Sequence, residues 1–505
     1  MVQSIDHVAL LPAYLAAGTA VLVLLADLLL ARRAVTFAVA AIGAAATGAA
    51  AAWVASLGER ETFCLPGGCS FVADGTGAVV AVVFSVLTLG VIGLSWPALR
   101  GDAEDPGAAP PTGEYLFLLA CSLTGGVVLA YARDLITIIV ALETLTLPLY
   151  ALVGLRRKSV ASAESAVNFL VVSVISSAVT LMGAALLYAV TGAVHLDQLR
   201  HNLGGPVTDV VPDYDPGAVD LPLTSVAVIL VLVGIAFKIA AVPFHAWAPA
   251  TYDGAPLPVA AYLSTASKLG GVFALLLIAV GGLRPALDRS GFLLAAVAVA
   301  TMTVGNLAAL RQTRMVRLLA FSSIAQAGYI LAPLGVFAAA AGREQDVVDA
   351  AVTATLAYTV FYVVLELAAF AVVIAVRGSR QGGLIADYAG LARRSPVLAG
   401  AFVLALVGLA GLPPGMAGLF AKVTVVDALL EGEAVWLAVV VAVNAVIGLV
   451  YYVRVAGVLV RAPEGAVAAP GPRVPWPVAL TLGAATVAGV VLGFAPQLVL
   501  TVTGG

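Results

Sequence analysis

The chain has 505 residues, of which 62% are hydrophobic and only 10% charged, with a mean hydropathy of +1.08. A soluble globular protein of this length needs far more polar surface, so the composition demands an integral membrane protein. The net charge of −3 offers nothing to nucleic acid, and Cys64, Cys69 and Cys121 match no iron–sulfur or zinc spacing.

Apolar segments long enough to cross a ~30 Å hydrocarbon core fall at 8–31, 34–56, 76–97, 114–131, 134–154, 163–191 and 222–247. They continue at 256–281, 290–311, 316–340, 349–376, 396–430, 434–460 and 475–502, giving fourteen spans and no soluble domain. The first run is too long, and too poor in upstream basic residues, for a cleaved signal peptide. Cys64 and Cys69 share the short loop after the second span, where they either pair in an oxidising compartment or stay as two free thiols. The longest polar interruption, 192–221, reads as a loop. The 396–430 span is long enough to be broken or strongly bent.

Spans four to eight and nine to thirteen form two comparable blocks. Each holds a proline-rich break beside a lysine: APLPVAAYLSTASKLGG in one, LPPGMAGLFAKVTVV in the other. Blocks of five spans have opposite orientations, the inverted-repeat arrangement of many transporters. The expected layout is a three-helix segment at 1–112, repeats at 113–281 and 290–460, and a last helix within 461–505.

Orientation follows from the basic loops. With the N-terminus outside, the loops after odd-numbered spans hold sixteen Lys and Arg residues, from Arg32 to Arg473. The opposite side holds six: Arg60, Arg133, Arg200, Arg284, Arg289 and Arg343. Both termini are then outside, together with the acidic 192–221 loop.

Four lysines exist, and three of them, Lys238, Lys268 and Lys422, lie in apolar segments. A lysine at a bilayer centre costs roughly 2.5–3.5 kcal/mol on insertion scales, so three together suggest a charge pathway. Glu143 lies mid-span in LITIIVALETLTLPLY, with Pro148 five residues on. Lys238 stands near the centre of the seventh span, and His245, seven residues later, falls on nearly the same helical face. Lys268 sits among Ser264, Thr265 and Ser267, hydroxyls that suit close helix packing. Lys422 follows Pro413-Pro414-Gly415, an unwound stretch tolerated only where it lines a cavity or is buried in protein. Glu366, in FYVVLELAAF, is either a bridge between Lys268 and Lys422 or a protonated structural group. Asp27 and Asp427 read as interfacial, and Tyr358, Tyr362, Tyr451 and Tyr452 as belt or packing residues. A file of buried acids and lysines suits protons better than a large solute.

The runs FKIAAVPFHAWAPATYDGAPLPVAAYLSTASK, NLAALRQTRMVRLLAFSSIAQAGYIL and LAGLPPGMAGLFAKVTVVDALLEGEAVWLAVVVAVNAVIGLVYYVRV closely resemble the N subunits of bacterial respiratory NADH-quinone oxidoreductase (complex I), over roughly 110–460. The resemblance implies an all-α polytopic membrane protein with an antiporter-like fold of about fourteen helices. It further implies two inverted five-helix repeats, with spans seven and twelve broken. It implies that Glu143 and Lys238 form a coupling ion pair, with Lys268 central and Lys422 terminal in the second half-channel. His245 and Glu366 are possible relays.

It also implies no cofactor in this chain. NADH, FMN, iron–sulfur clusters and quinone belong at other subunits, and the expected partners are membrane subunits of the M, K, A and J types in a bacterial plasma membrane. The family often has lysine at the place of Asn168 and histidine at that of Gln326, and a neutral polar residue is expected in place of Glu366. The closest rival is a subunit of a multi-subunit Na⁺/H⁺ antiporter or membrane-bound hydrogenase, which shares the fold and lysines. A stand-alone transporter of an organic solute and a membrane scaffold are more distant alternatives.

Overall fold

The computed structural model describes residues 5–100, 109–156, 159–204, 222–461 and 471–503. The first half contains α1 (Leu11–Leu30), α2 (Arg33–Ser56), β1 (Arg60–Leu65), β2 (Gly68–Ala73), α3 (Gly75–Leu94), α4 (Thr112–Tyr131), α5 (Leu135–Gly154), α6 (Val160–Thr191), α7 (Leu196–Gly204), α8 (Pro222–Ile239), α9 (Trp247–Gly254), α10 (Leu257–Ser264) and α11 (Ala266–Leu276). Then come α12 (Leu287–Leu310), α13 (Met315–Leu331), α14 (Gln345–Arg377), α15 (Pro396–Ala410), α16 (Met416–Glu431), α17 (Val435–Val460), α18 (Trp476–Phe494) and α19 (Gln497–Thr503). Among the described residues, thirteen helices are long and apolar enough to cross a membrane, and the remaining expected span, 396–430, is divided into α15 and α16. In lipid no water is available to the backbone, so these segments close their hydrogen bonds internally as helices.

The most enclosed spans are Met315–Ala338 (94% buried), Leu257–Gly282 (89%) and Gln345–Arg377 (83%). They form the centre of the bundle. Peripheral helices such as α1, α6 and α18 turn Leu28, Val174 and Leu480 outward, as a bilayer-facing surface does.

Helix ends are tied together in two groups. At one, β1 and β2 form an antiparallel hairpin closed by a Cys64–Cys69 disulfide, so those thiols are not free. Beside it Phe71 bridges Ala132, Asp134 bridges His195, and Arg133 pairs with Asp74. In the other group Arg314 bridges Leu384 and pairs with Asp253 at 2.7 Å, while Arg454 donates to the carbonyls of Leu310 and Gln312. These two groups are the loops that alternation along the chain assigns to opposite sides.

Four details depart from the sequence reading. The loop after the second span is a hairpin, and the 192–221 interruption contains α7; its acids Asp209, Asp213, Asp215 and Asp220, like Arg157 and Lys158, lie outside the described residues. The seventh span does break, but immediately after Lys238: α8 ends at Ile239 and Ala240 turns left-handed with φ 60°. Lys238 and His245 therefore share no helical face. The eighth span is broken too, at Thr265 (φ −112°, ψ −80°), whose hydroxyl and backbone N–H both donate to the Ala261 carbonyl. A hydroxyl competing for backbone acceptors commonly bends a helix. Lys268 thus lies in the first turn of α11 rather than mid-helix.

Candidate functional site

Glu143, on α5, accepts from Lys238 Nζ at 2.8 Å and from the Ser177 hydroxyl of α6. The same ammonium donates to Ser173 Oγ at 2.9 Å and Thr146 Oγ1 at 3.2 Å. An ammonium has three donors, so Lys238 is fully satisfied. Tyr150 completes the group by bonding Ser173 and donating to Thr146. Glu143, Thr146 and Tyr150 recur at helical spacing along α5, as Ser173 and Ser177 do along α6, so both faces converge on Lys238. Trp247 fixes the end of α8 by donating to the Phe237 carbonyl at 3.2 Å and stacking on Phe169.

Lys268 donates to the Ser323 carbonyl of α13 and stands 5.8 Å from the ring centroid of Tyr362. The Tyr362 hydroxyl donates to the Ser264 carbonyl and bonds Ser323 Oγ, both at 2.8 Å. One turn farther along α14 lies Glu366, wholly buried, with no hydrogen bond to either carboxylate oxygen.

Lys422 reaches back across the second break to the last carbonyls of α15, those of Leu409 (3.2 Å) and Ala410. Those carbonyls carry the negative end of the half-helix dipole, which favours a cation. Close approach makes the contact possible: a Cβ on Gly418 would stand 1.7 Å from the Gly408 carbonyl oxygen. The ring of Tyr329 lies 5.2 Å from Lys422 Nζ. Gln326 joins this group, donating to the Leu409 carbonyl (3.0 Å) and Tyr452 (3.1 Å) and accepting from Tyr358 (2.6 Å).

Three groups therefore follow one another through the bundle. The first is a direct ion pair. The second and third are strung along α13 through Ser323 and Gln326, three residues apart. Between the first two, α11 packs on the end of α8, where a Cβ on Gly271 would come within 3.2 Å of the Lys238 backbone. His245 stays apart: it is half-buried in the turn after α8, its Nδ1 has no hydrogen bond, and none joins it to Lys238. The four tyrosines read as belt or packing residues are buried, as packing residues are, and three of them, Tyr358, Tyr362 and Tyr452, also bond directly to these groups.

Thr146, Ser173, Ser177 and Ser323 escaped the sequence reading, and Gln326 was noted there only as a place where the family often has histidine. Polar residues at i, i+3 and i+4 spacing within apolar helices would have marked them. Among the described residues one metal-type grouping occurs, Glu61–Cys64–Cys69, and its sulfurs are consumed by the disulfide. A carboxyl beside amines and hydroxyls in a low-dielectric setting has the chemistry for proton exchange.

Residues 132–448 match the family described as NADH:quinone oxidoreductase/Mrp antiporter, transmembrane. The chain is 60% identical to an NADH-quinone oxidoreductase subunit N of Salinispora tropica, with 99% of each chain covered. It is similar to a chain of respiratory complex I from Thermus thermophilus at a TM-score of 0.75 and 29% identity, covering 98% of this chain and 100% of that one. A chain of the Mrp complex from Dietzia sp. superposes at a TM-score of 0.81 with 24% identity, covering 98% and 96%, a likeness of fold alone.

Proposed function

The chain belongs to the NADH:quinone oxidoreductase/Mrp antiporter transmembrane family, and on that footing we propose that it is the proton-translocating N-type membrane subunit of an NADH-quinone oxidoreductase. It couples electron transfer from NADH to quinone, carried by other subunits, to proton movement through its own buried residues. The observation that carries this reading is the Glu143–Lys238 ion pair, set in hydroxyls and placed where α8 breaks. Breaking a buried pair by moving one partner leaves the other charge stranded in a low-dielectric site. Displacement of Glu143 thus leaves an ammonium whose cost is relieved by passing its proton on, and return of the carboxylate restores the charged lysine. Lys268 and Lys422 continue the path, one through Ser323 and Tyr362, the other at the carbonyl end of α15. Glu366, one turn from Tyr362, is the relay candidate nearest Lys268, and His245 is a relay candidate in the turn after α8.

NADH, FMN, iron–sulfur clusters and quinone act at other subunits, and neighbours of the M, K, A and J types flank this one in the plasma membrane. Both termini lie outside. The sixteen-to-six division of basic residues supports that orientation, and so does the Cys64–Cys69 disulfide, which suits an oxidising compartment. The fold is shared with Mrp antiporter subunits, which keeps that rival in view.

The test is Lys238→Ala in the intact membrane complex, assaying NADH-driven quinone reduction together with proton pumping. Loss of both, with assembly intact, is expected. Normal pumping would return Lys238 to a structural role and remove the reading.

A further inference from the structure

The two halves of the bundle can be matched bond by bond. Leu135 N–H donates to the Val194 carbonyl and Leu196 N–H to that of Arg133, each at 3.0 Å. In the second half Met315 N–H donates to Gly383 (3.0 Å) and Ile385 N–H to Thr313 (2.8 Å). Asp134 and Arg314 therefore hold equivalent places before α5 and α13. The helix breaks match as well: Ala241 N–H donates to Ala236 (2.9 Å) as Leu412 N–H does to Val407 (3.1 Å), and the turning residues are Ala240 (φ 60°) and Gly411 (φ 80°).

The match shows what the second half lacks. Nine residues after Asp134 stands Glu143; nine after Arg314 stands Ser323. Two residues before Ala240 stands Lys238; two before Gly411 stands Leu409. Neither member of the first half's ion pair recurs at its equivalent place. The second half has instead a carboxylate on the next helix, Glu366 of α14, whose near neighbours include Ser323's bonded partner Tyr362, one turn away. Lys268 approaches the same turn of α14, its Nζ lying 5.8 Å from the ring centroid of Tyr362, four residues before Glu366. Both Glu366 oxygens are enclosed without a hydrogen bond. A carboxyl group that only filled space here would be a costly choice over a neutral side chain.

We propose that Glu366 is the proton-holding acid of the second half, moved from α13 to α14, and that Lys268 is its exchange partner. This rests on the proton-path reading above. In the transfer the Glu366 O–H bond breaks and an N–H bond forms on the neutral Lys268 amine, the proton crossing by way of a water because neither Glu366 oxygen is hydrogen-bonded to Lys268, and the products are a carboxylate and an ammonium. The reverse transfer restores the neutral pair. The two free oxygens give the acid room to accept a proton, directly or through water, from the Tyr452 and Gln326 side.

The experiment compares Glu366→Gln, Glu366→Asp and Lys238→Ala in the intact complex reconstituted into vesicles. The readouts are protons pumped, NADH oxidised and the infrared difference band of a carboxyl C=O stretch during turnover. Glu366→Gln should lower pumping by roughly tenfold or more and abolish one band. Glu366→Asp should retain most of the pumping and shift that band. Wild-type pumping by Glu366→Gln overturns the proposal, and so does an equal loss in both variants with assembly intact. Should Glu366→Gln fail to assemble, the Asp variant decides alone: a shifted band supports the proposal and an unchanged spectrum overturns it. Loss in Lys238→Ala with normal pumping in Glu366→Gln removes only this inference, whereas normal pumping in Lys238→Ala removes the reading on which it rests.

Discussion

Gln326 and Lys422 donate to the same acceptor, the Leu409 carbonyl, at 3.0 and 3.2 Å. That oxygen belongs to the last turn of α15, and the helix cannot satisfy it because the chain breaks at Gly411. Two side chains from different helices, α13 and α16, thus meet at one buried carbonyl that the helix end leaves open. The terminal lysine is coupled to the centre of the bundle through it.

Lys422→Met should leave the Ala410 carbonyl without its side-chain donor, costing about 1–3 kcal/mol. Lys422→Glu should be worse, since it sets an anion against the negative end of the same half-helix. Thermal denaturation of the assembled complex gives the order: wild type, then Met, then Glu. A Glu variant as stable as the Met variant contradicts the dipole argument.

Gln326→Leu removes three hydrogen bonds at once, to Leu409, Tyr452 and Tyr358. It should slow proton pumping while leaving α13 folded, because the helix interior around it is already apolar. The check is pumping measured beside the helical circular-dichroism signal of the complex. Undiminished pumping would show that the Leu409 junction is not part of the path.

Glu143→Gln and Lys238→Ala should not be additive. Either change alone strands a partner, at about 3–5 kcal/mol for a fully buried pair and less here because Glu143 keeps 23% of its side-chain surface exposed. The double variant should therefore be less destabilised than the two single losses summed. A denaturation cycle on the four proteins measures the coupling, and a coupling near zero would mean the contact carries no energy.

The Cys64–Cys69 hairpin reports orientation. In right-side-out vesicles a membrane-impermeant maleimide should label the pair only after mild reduction, and inside-out vesicles should stay unlabelled at those positions. Cys121 is replaced by Ser beforehand to clear the background. Labelling from the cytoplasmic face would reverse the topology.

The spans were legible because transfer from water to hydrocarbon is a property of each segment alone. The lysines and Glu143 stood out for the same reason, as charges where none is affordable without a partner. The places of the helix breaks were less legible. The family resemblance implied a break in the seventh span, but its position depends on Ala240 turning left-handed just after Lys238, and nothing in LSTASK announced the kink at Thr265. His245 was consequently placed on a helical face that does not exist.

By itself the sequence determined the membrane class, the apolar segments and the identity of the buried charges, because these depend on composition and local hydropathy. Only the tertiary structure decided who answers each charge. Lys238 is met by Glu143 and two hydroxyls from α5 and α6, Lys422 by backbone carbonyls of α15, and Glu366 by no hydrogen bond at all. Neutral Ser, Thr and Tyr residues leave only a weak mark in a hydropathy profile, and a carbonyl is present at every residue. Their role arises when packing brings them within about 3 Å of a charge.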